Sequence, residues 1–493
     1  MNRFCSYTKI FSVQKIQIRF LSSEYKDKIM KIRTILMGLL ISVLFSSFGA
    51  GKQPGKKSAF TGEKGEVKLI TVDPGHFHAA LVQKNMYDQV NPVVQVYSPE
   101  GQDVNEHLKK IDGYNSRKEI PTNWKEIVYR GPDYFEKMLA EKKGNVVVLA
   151  GNNRIKTDYI KKCVEAGLNV LADKPMVITP ENFPMLEASF KIAAEKGVLL
   201  FDIMTERHEI TTMVQKELSC NRALFGTLLP GTPEKPGVEI LSVHYFYKSV
   251  SGSPLVRPAW FFDVNQQGEG IVDVATHLVD LVQWICFPNV ILQKSDIAML
   301  QGNHWPTLLT KEEFTAITQL DNFPDYLSTV VKDGKLEEFA NGSMLYKIKG
   351  VHAKVTAEWR YKAPEGSGDT HYALLRGSKA TLEIKQGEPE KYLPTLYVKA
   401  NQVTNLTAFA TDLENAVLKN SAHKGLTLEK VDAQTWKVLI PDSYKVGHEA
   451  HFSQVTEEFL GYLQTGKLPA WEVPNMIVKY YTNTEALKLA RKK

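Results

Sequence analysis

The sequence predicts an α/β chain in two parts: a doubly wound parallel sheet, then an α+β region with a largely antiparallel, open sheet. Three observations predict it. Between about residues 66 and 205, short apolar runs alternate with helical segments, the pattern of right-handed β-α-β units. One run, residues 145–150 (NVVVLA), is apolar at nearly every position, as a strand buried on both faces is. After residue 205 the runs lengthen and alternate, as strands with one wet face do.

In chain order, residues 67–72 (VKLITV) form the first expected strand, ending in Asp73-Pro74-Gly75, and a helix is expected over 78–87. Residues 93–97 (VVQVY) and 145–150 are the next two strands. An amphipathic helix over 158–166 is stopped by Gly167, a residue suited to the left-handed C′ position. Residues 169–172 (NVLA) and 198–202 (VLLFD) are strands flanking a helix around 186–196. Beyond them, 239–247, 342–349, 353–361, 371–375 and 380–385 read as strands, 271–286 as a helix, and 452–492 as a return to helix. The expected domains are 66–205 and 206–493, with a Gly- and Lys-rich linker over 50–65.

Lys31 and Arg33 precede an apolar run at 35–45 (ILMGLLISVLF), and small residues follow. This is the pattern of a secretory signal peptide over 1–49, with Met30 an alternative start. Eleven residues rise only about 16 Å as a helix, short for a bilayer. An exported, periplasmic protein without stable membrane insertion after cleavage is therefore expected. Residues 1–50 hold eight Lys/Arg and two Asp/Glu, so the whole net charge of +6 belongs to the leader. The neutral remainder carries no footprint for nucleic acid and suits a neutral small molecule. Hydrophobic residues at 43% and charged residues at 24% exclude disorder and a multi-span membrane protein. Beyond Cys5 in the leader, Cys163, Cys220 and Cys286 are odd in number and form no C-x-x-C, so no disulfide framework is expected.

Three places carry chemistry. In a parallel sheet the first strand-to-helix turn holds dinucleotide phosphates, and glycine lets the backbone approach them. Here that turn reads Asp73-Pro74-Gly75-His76-Phe77-His78, with only the middle glycine of G-x-G-x-x-G. At the second place, Gly151-Asn152-Asn153 closes one strand and Asp173-Lys174-Pro175 the next. A partly buried lysine at the carboxyl end of a parallel strand points into the ligand crevice and can work as an acid/base group. The third follows Gly268-Glu269-Gly270: on a helix, Asp273 and His277 are i,i+4 and share a face, with Asp280 near the same stripe. A carboxylate there would orient the imidazole for taking a hydroxyl proton. No metal site is expected; His448 and His451 could offer two ligands, but no Cys or acid cluster completes them.

With these residues the chain resembles the Gfo/Idh/MocA oxidoreductases. That family's Glu-Lys-Pro appears as Asp173-Lys174-Pro175, and its Asp-x-x-x-His helix as Asp273 and His277. Its Pro-Asn turn, fourteen residues before an Ala-Gly, appears as Asn152-Asn153 before Ala166-Gly167, and its later His-Ala as His78-Ala79. Residues 375–382 (LRGSKATL) resemble its Gly-x-x-Gly-x-Leu hairpin. The resemblance, over about residues 66–490, implies a Rossmann domain followed by an α+β domain, and an NAD(P)-dependent enzyme acting on a sugar or glycoside. It implies Lys174, His277 and Asp273 as catalytic, with Asp273 orienting His277. Gly75, His76, Phe77, His78, Ser98, Asn152, Asn153, Lys174 and Pro175 would hold the cofactor. Arg207, Tyr245, Trp260 and His371 are candidates for the substrate. NAD is favoured over NADP because Tyr97-Ser98 is followed by Glu100 and Asp103, with no adjacent Arg. A homo-oligomer, formed through the open face of the second sheet, is also implied. Export implies a retained cofactor. It keeps two alternatives open: an NAD-using glycoside hydrolase of the same fold and a non-catalytic sugar-binding protein.

Overall fold

Six parallel strands carry the first half of the molecule: β1 (Leu69–Val72), β2 (Val93–Ser98), β3 (Lys125–Arg130), β4 (Val146–Leu149), β5 (Asn169–Asp173) and β6 (Leu200–Ile203). Their order is 3-2-1-4-5-6, and every pairing is parallel. The computed structural model describes residues 60–250, 253–401 and 405–492. The expected leader and residues 50–59 of the linker lie outside the described residues. β1, β4, β5 and β6 are buried at every position, which is why they read as continuous apolar runs. The strand order reverses between β1 and β4, where ligand crevices of such sheets open at the carboxyl ends.

Helices α1 (His78–Leu81), α2 (Gln102–Ser116), α3 (Tyr134–Glu141), α4 (Lys156–Glu165) and α5 (Phe183–Lys196) cover this sheet. The expected C′ glycine is in place. Gly167 has φ +78°, Leu168 N–H donates to the Cys163 carbonyl and Gly167 N–H to that of Val164, a Schellman motif. The helix expected over 78–87 is cut to four residues. Gln83 and Lys84 form tighter i→i+3 bonds to Ala80 and Leu81. Their own carbonyls are taken by Trp124 Nε1 at 2.6 Å and Arg117 Nη2 at 2.7 Å, so they do not continue the helix.

After α6 (Ile210–Cys220) the chain builds a second sheet. It contains β7 (Val238–Tyr247), a small hairpin of β8 (Ser249–Val250) and β9 (Ser253–Pro254) stands apart from it, and α7 (Ala275–Cys286) covers it. β10 (Ile297–Leu309), α8 (Lys311–Thr318), β11 (Val331–Lys332), β12 (Lys335–Ile348), β13 (Val351–Lys362), β14 (Thr370–Arg376), β15 (Ala380–Lys385) and β16 (Thr395–Ala400) follow. α9 (Leu406–Leu418), β17 (Thr427–Lys430) and β18 (Thr435–Leu439) complete it. The order is 10-12-13-7-14-15-16-18-17, with β11 against β12; only β13 and β7 pair in parallel. α7 begins at Ala275, four residues later than expected. Gly270 N–H is held by the Phe339 carbonyl of β12, which keeps residues 270–274 in turns ahead of the helix.

α10 (His448–Thr465) and α11 (Glu472–Ala490) join the two halves. Phe452, Val455, Phe459 and Tyr480 complete the core of the parallel sheet. Val478, Ala486, Leu487 and Ala490 belong to the core of the second sheet. The last two helices therefore serve the first core as well as the second. Cys163, Cys220 and Cys286 are free. No helix among the described residues is long and apolar enough to cross a membrane.

Candidate active site

β5 delivers Asp173 and Lys174 to the carboxyl edge of the parallel sheet, and the Lys174–Pro175 peptide is cis. Lys174 Nζ donates to Asp273 Oδ1 at 2.6 Å, and Gln267 Nε2 donates to Asp273 Oδ2 at 3.1 Å. Lys174 and Asp273 side chains are only 10% and 5% exposed, so the pair is shielded from solvent. This corrects the expected pairing. Because residues 270–274 are not helical, the Asp273 carboxylate orients Lys174 and not His277. His277 sits in the first turn of α7, its Nδ1 buried with no hydrogen-bond partner. Burial and the nearby Lys174 charge hold its pKa well below the ordinary range, so it is a neutral imidazole.

The turn after β1 folds back on the sheet. His76 N–H donates to the Ala150 carbonyl at 3.0 Å, bridging the turns after β1 and β4. A Cβ on Gly151 would lie 1.9 Å from the Asp73 carbonyl oxygen, and one on Gly75 would lie 2.8 Å from Asp103 Oδ2 and 3.1 Å from Trp260. Close approach of backbone thus requires glycine at 151, whereas at 75 the Asp103 and Trp260 side chains crowd the position. Asp73 itself has φ +46°. Burial and the neighbouring Asp103 push its carboxyl up to about 6. Trp260 Nε1 donates to Asp103 Oδ2 at 2.8 Å, so Trp260 closes over the turn. A solvent-open groove runs between this turn, α2 and residues 255–261, lined by Gly75, His76, Phe77, Asp103, His107 and Arg257.

These residues fit a dinucleotide. Among the described residues, the N–H groups of Phe77 and His78 donate to no carbonyl and remain available to an anion. Ser98 ends β2, buried beside this region. Asn152 and Asn153 are engaged elsewhere: Asn152 Nδ2 donates to Gln266 Oε1 and Asn153 Nδ2 to the Gln267 carbonyl, both at 2.7 Å. Asn153 Oδ1 accepts from Lys156 Nζ, which also donates to the Asp173 carbonyl at 3.1 Å. The asparagine pair thus ties the parallel sheet to the segment carrying Asp273.

Two substrate candidates are placed away from the site. Arg207 is saturated by Asp280 (2.7 Å, twice) and Glu472 (2.9 and 3.0 Å), a buried structural cluster. Tyr245 alternates with Phe246 on β7; Phe246 lies in the core, so Tyr245 points to the opposite face of the sheet. His371 is placed closer. It pairs with Ser242 across β14 and β7, its Nε2 is buried without a partner, and burial and His244 push it down to about 4.

The fold also gathers groups with no local signature in the sequence. Asp369 Oδ2 takes His244 Nδ1 at 3.0 Å and Lys248 Nζ. Burial, then Glu209 and Asp369, push Glu206 up to about 7, while Lys174 acts against them. His448 Nδ1 is 3.8 Å from Glu206 Oε1, and its ring lies 5.6 Å from that of His78. Burial opposes the ionisation of Asp173, but His78 and His76 beside it hold the carboxylate well below the ordinary range. These acids, lysines and imidazoles gather near the carboxyl ends of β1 and β5.

Residues 74–202 match the model described as "Oxidoreductase family, NAD-binding Rossmann fold", and residues 214–491 the one described as "Putative oxidoreductase C terminal domain". Fold and site together define an NAD(P)-dependent oxidoreductase with a nicotinamide dinucleotide cofactor. A crystal structure of an oxidoreductase from Parabacteroides merdae ATCC 43184 is 56% identical, covering 88% of this chain and 99% of that one, with a TM-score of 0.86. The chain belongs to the Gfo/Idh/MocA family of oxidoreductases, with that family's C-terminal domain. A levoglucosan dehydrogenase in complex with NADH and levoglucosan shares the fold at 11% identity and TM-score 0.54, over 86% of this chain and 97% of that one. So does a biliverdin reductase from Synechocystis sp. PCC 6803 with biliverdin and NADP+, at 12% and 0.52, over 86% and 99%. No curated protein matches the sequence.

Proposed function

We propose that the chain is an exported oxidoreductase that moves a hydride between a nicotinamide dinucleotide, NAD in preference to NADP, and a hydroxyl-bearing carbon of a sugar or glycoside. The observation that carries this reading is the shielded Lys174–Asp273 pair beside the neutral, unpartnered His277. Bound cofactor supplies the hydride acceptor. A neutral imidazole can take the hydroxyl proton of a substrate, and an ammonium fixed by a carboxylate steadies the oxygen as it gains charge. Asp273 keeps Lys174 aimed. Trp260 and His371 offer an aromatic face and a polar tip near the crevice. The levoglucosan complex of a protein with this fold supports a carbohydrate substrate. The NAD preference rests on Glu100 and Asp103 following the end of β2; Arg130, at the end of β3, pairs with Glu100 at 3.1 Å.

Export follows from the leader, and with it a cofactor bound before translocation and kept. The test is mass spectrometry of the small molecule released when the purified mature protein is denatured. Near-stoichiometric NAD or NADH is the expected result. NADP would correct the cofactor preference. No nucleotide, with no binding of added NAD or NADP, would overturn the reading and favour a sugar-binding protein.

A further inference from the structure

We propose that His76, His78 and Asp173 form a binding site for one first-row divalent metal ion, zinc in the first instance. One ligand atom from each residue lies within 4.8 Å of the other two. His78 Nδ1 is 2.9 Å and His76 Nδ1 3.2 Å from the same oxygen, Asp173 Oδ2. Tetrahedral zinc with bonds of about 2.0–2.2 Å places its ligand atoms about 3.4 Å apart, so the two contacts to Asp173 Oδ2 need only a small outward shift to admit an ion. The second Asp173 oxygen, Oδ1, is buried with no hydrogen-bond partner, as a carboxylate with coordinating capacity to spare would be.

The ligands stand on a rigid frame. His76 and His78 flank Phe77 in the turn that β1 delivers, with their rings edge to face and centroids 4.0 Å apart. Asp173 is the last residue of β5, and β4 lies between the two strands. Side-chain exposures of 8% for His78 and 4% for Asp173, against 16% for His76, give a buried site with one approach, past His76. Two imidazoles and one carboxylate are a donor set for borderline ions such as zinc, iron or nickel, not for calcium or magnesium. Three protein ligands leave positions for water or a substrate oxygen. The test is independent of the hydride-transfer reading, because metal binding is read without turnover.

The experiment is zinc titration of the full mature protein after dialysis against a chelator, followed by isothermal calorimetry and elemental analysis, with cobalt(II) as a spectroscopic probe. One equivalent of zinc and cobalt ligand-field bands without thiolate charge transfer are expected. Affinity should fall by about 100-fold in His78→Gln and in Asp173→Asn, with folding checked by circular dichroism. His76→Gln, at the most exposed ligand, tests the site should Asp173→Asn fail to fold, and the same loss is expected. No zinc bound at millimolar concentration, or binding that none of the three substitutions weakens, would overturn the proposal and leave Asp173 as a clamp on two imidazoles.

Discussion

Lys174 and Asp273 meet across 99 residues of sequence, and neither has another ionic partner of comparable proximity among the described residues. Removing the ammonium should therefore cost catalysis and also leave the Asp273 carboxylate, 5% exposed, without its cation. Lys174→Ala should lower the hydride-transfer rate by about 10²–10⁴-fold, read as nicotinamide absorbance at saturating glycoside on protein shown to be folded, with the denaturation midpoint lowered as well. Asp273→Asn keeps a hydrogen-bond acceptor but loses the charge, so its loss should be smaller. A rate in Lys174→Ala equal to that of the unmodified enzyme would remove the lysine from the mechanism. The lysine was legible because Asp-Lys-Pro closes a recognisable strand; its partner was misread because the sequence could not show that residues 270–274 stay out of the helix. His107 gives a second prediction at this scale. Both ring nitrogens are buried without partners, and burial, then Lys110, push it down to about 4. The unfolded ring takes a proton near pH 6.5 and the folded one only near 4, so stability falls as pH drops through that window. Relative to His107→Leu, the native protein should lose roughly 2 kcal/mol between pH 7.5 and pH 5, measured by urea denaturation at both values. A difference between the two proteins that does not change with pH would reject the assignment.

At the level of elements, α7 and α11 are locked by charges. Lys479, on α11 and fully buried, lies 2.8 Å from both Asp202 of β6 and Asp280 of α7. Tyr480 donates to Asp202 at 2.7 Å, and Arg207 binds Asp280 and Glu472. Lys479→Met leaves Asp202 buried without a cation, while Asp280 keeps Arg207, and should cost about 3–5 kcal/mol in urea denaturation. A second substitution, Asp202→Asn, should recover part of that loss, and a cost below about 1 kcal/mol would show that the network does not tie the elements. This cluster explains why Arg207 misled the sequence reading. An arginine just past a parallel strand looks like a ligand-binding residue until its two acids, 73 and 265 residues away, are seen. The same distance effect hid Glu206, Lys248, His448 and the His76–His78–Asp173 group. Strands β4 and β5 were legible because burial on both faces forces continuous apolar runs. β3, an edge strand whose residues are all half-buried or exposed, needs no such run and left no trace.

For the whole molecule, the alternation of strands and helices was enough to foresee a parallel sheet followed by a mostly antiparallel one. The role of α10 and α11 was not, because their apolar stripes do not say which of two cores they serve. The long outer sheet raises the question of what covers it. β10 is its edge, thirteen residues long, and Leu300, Trp305 and Leu308 on it are 39%, 37% and 52% exposed. Natural proteins shield long edges that present apolar side chains, because such edges template further pairing. The resemblance implies an oligomer through the open face of this sheet, and a second copy of the chain reaching β10 would cover these side chains. Light scattering on the purified mature protein should therefore give a dimer or larger. Leu308→Lys, which places a charge at the most exposed of the three, should shift the population toward monomer as concentration falls. The parallel sheet and its site lie on other elements, so nucleotide content per chain should stay the same. A native protein that is monomeric at all concentrations would overturn this assignment of the edge, whereas an oligomer unaffected by Leu308→Lys would move the interface to another face of the sheet.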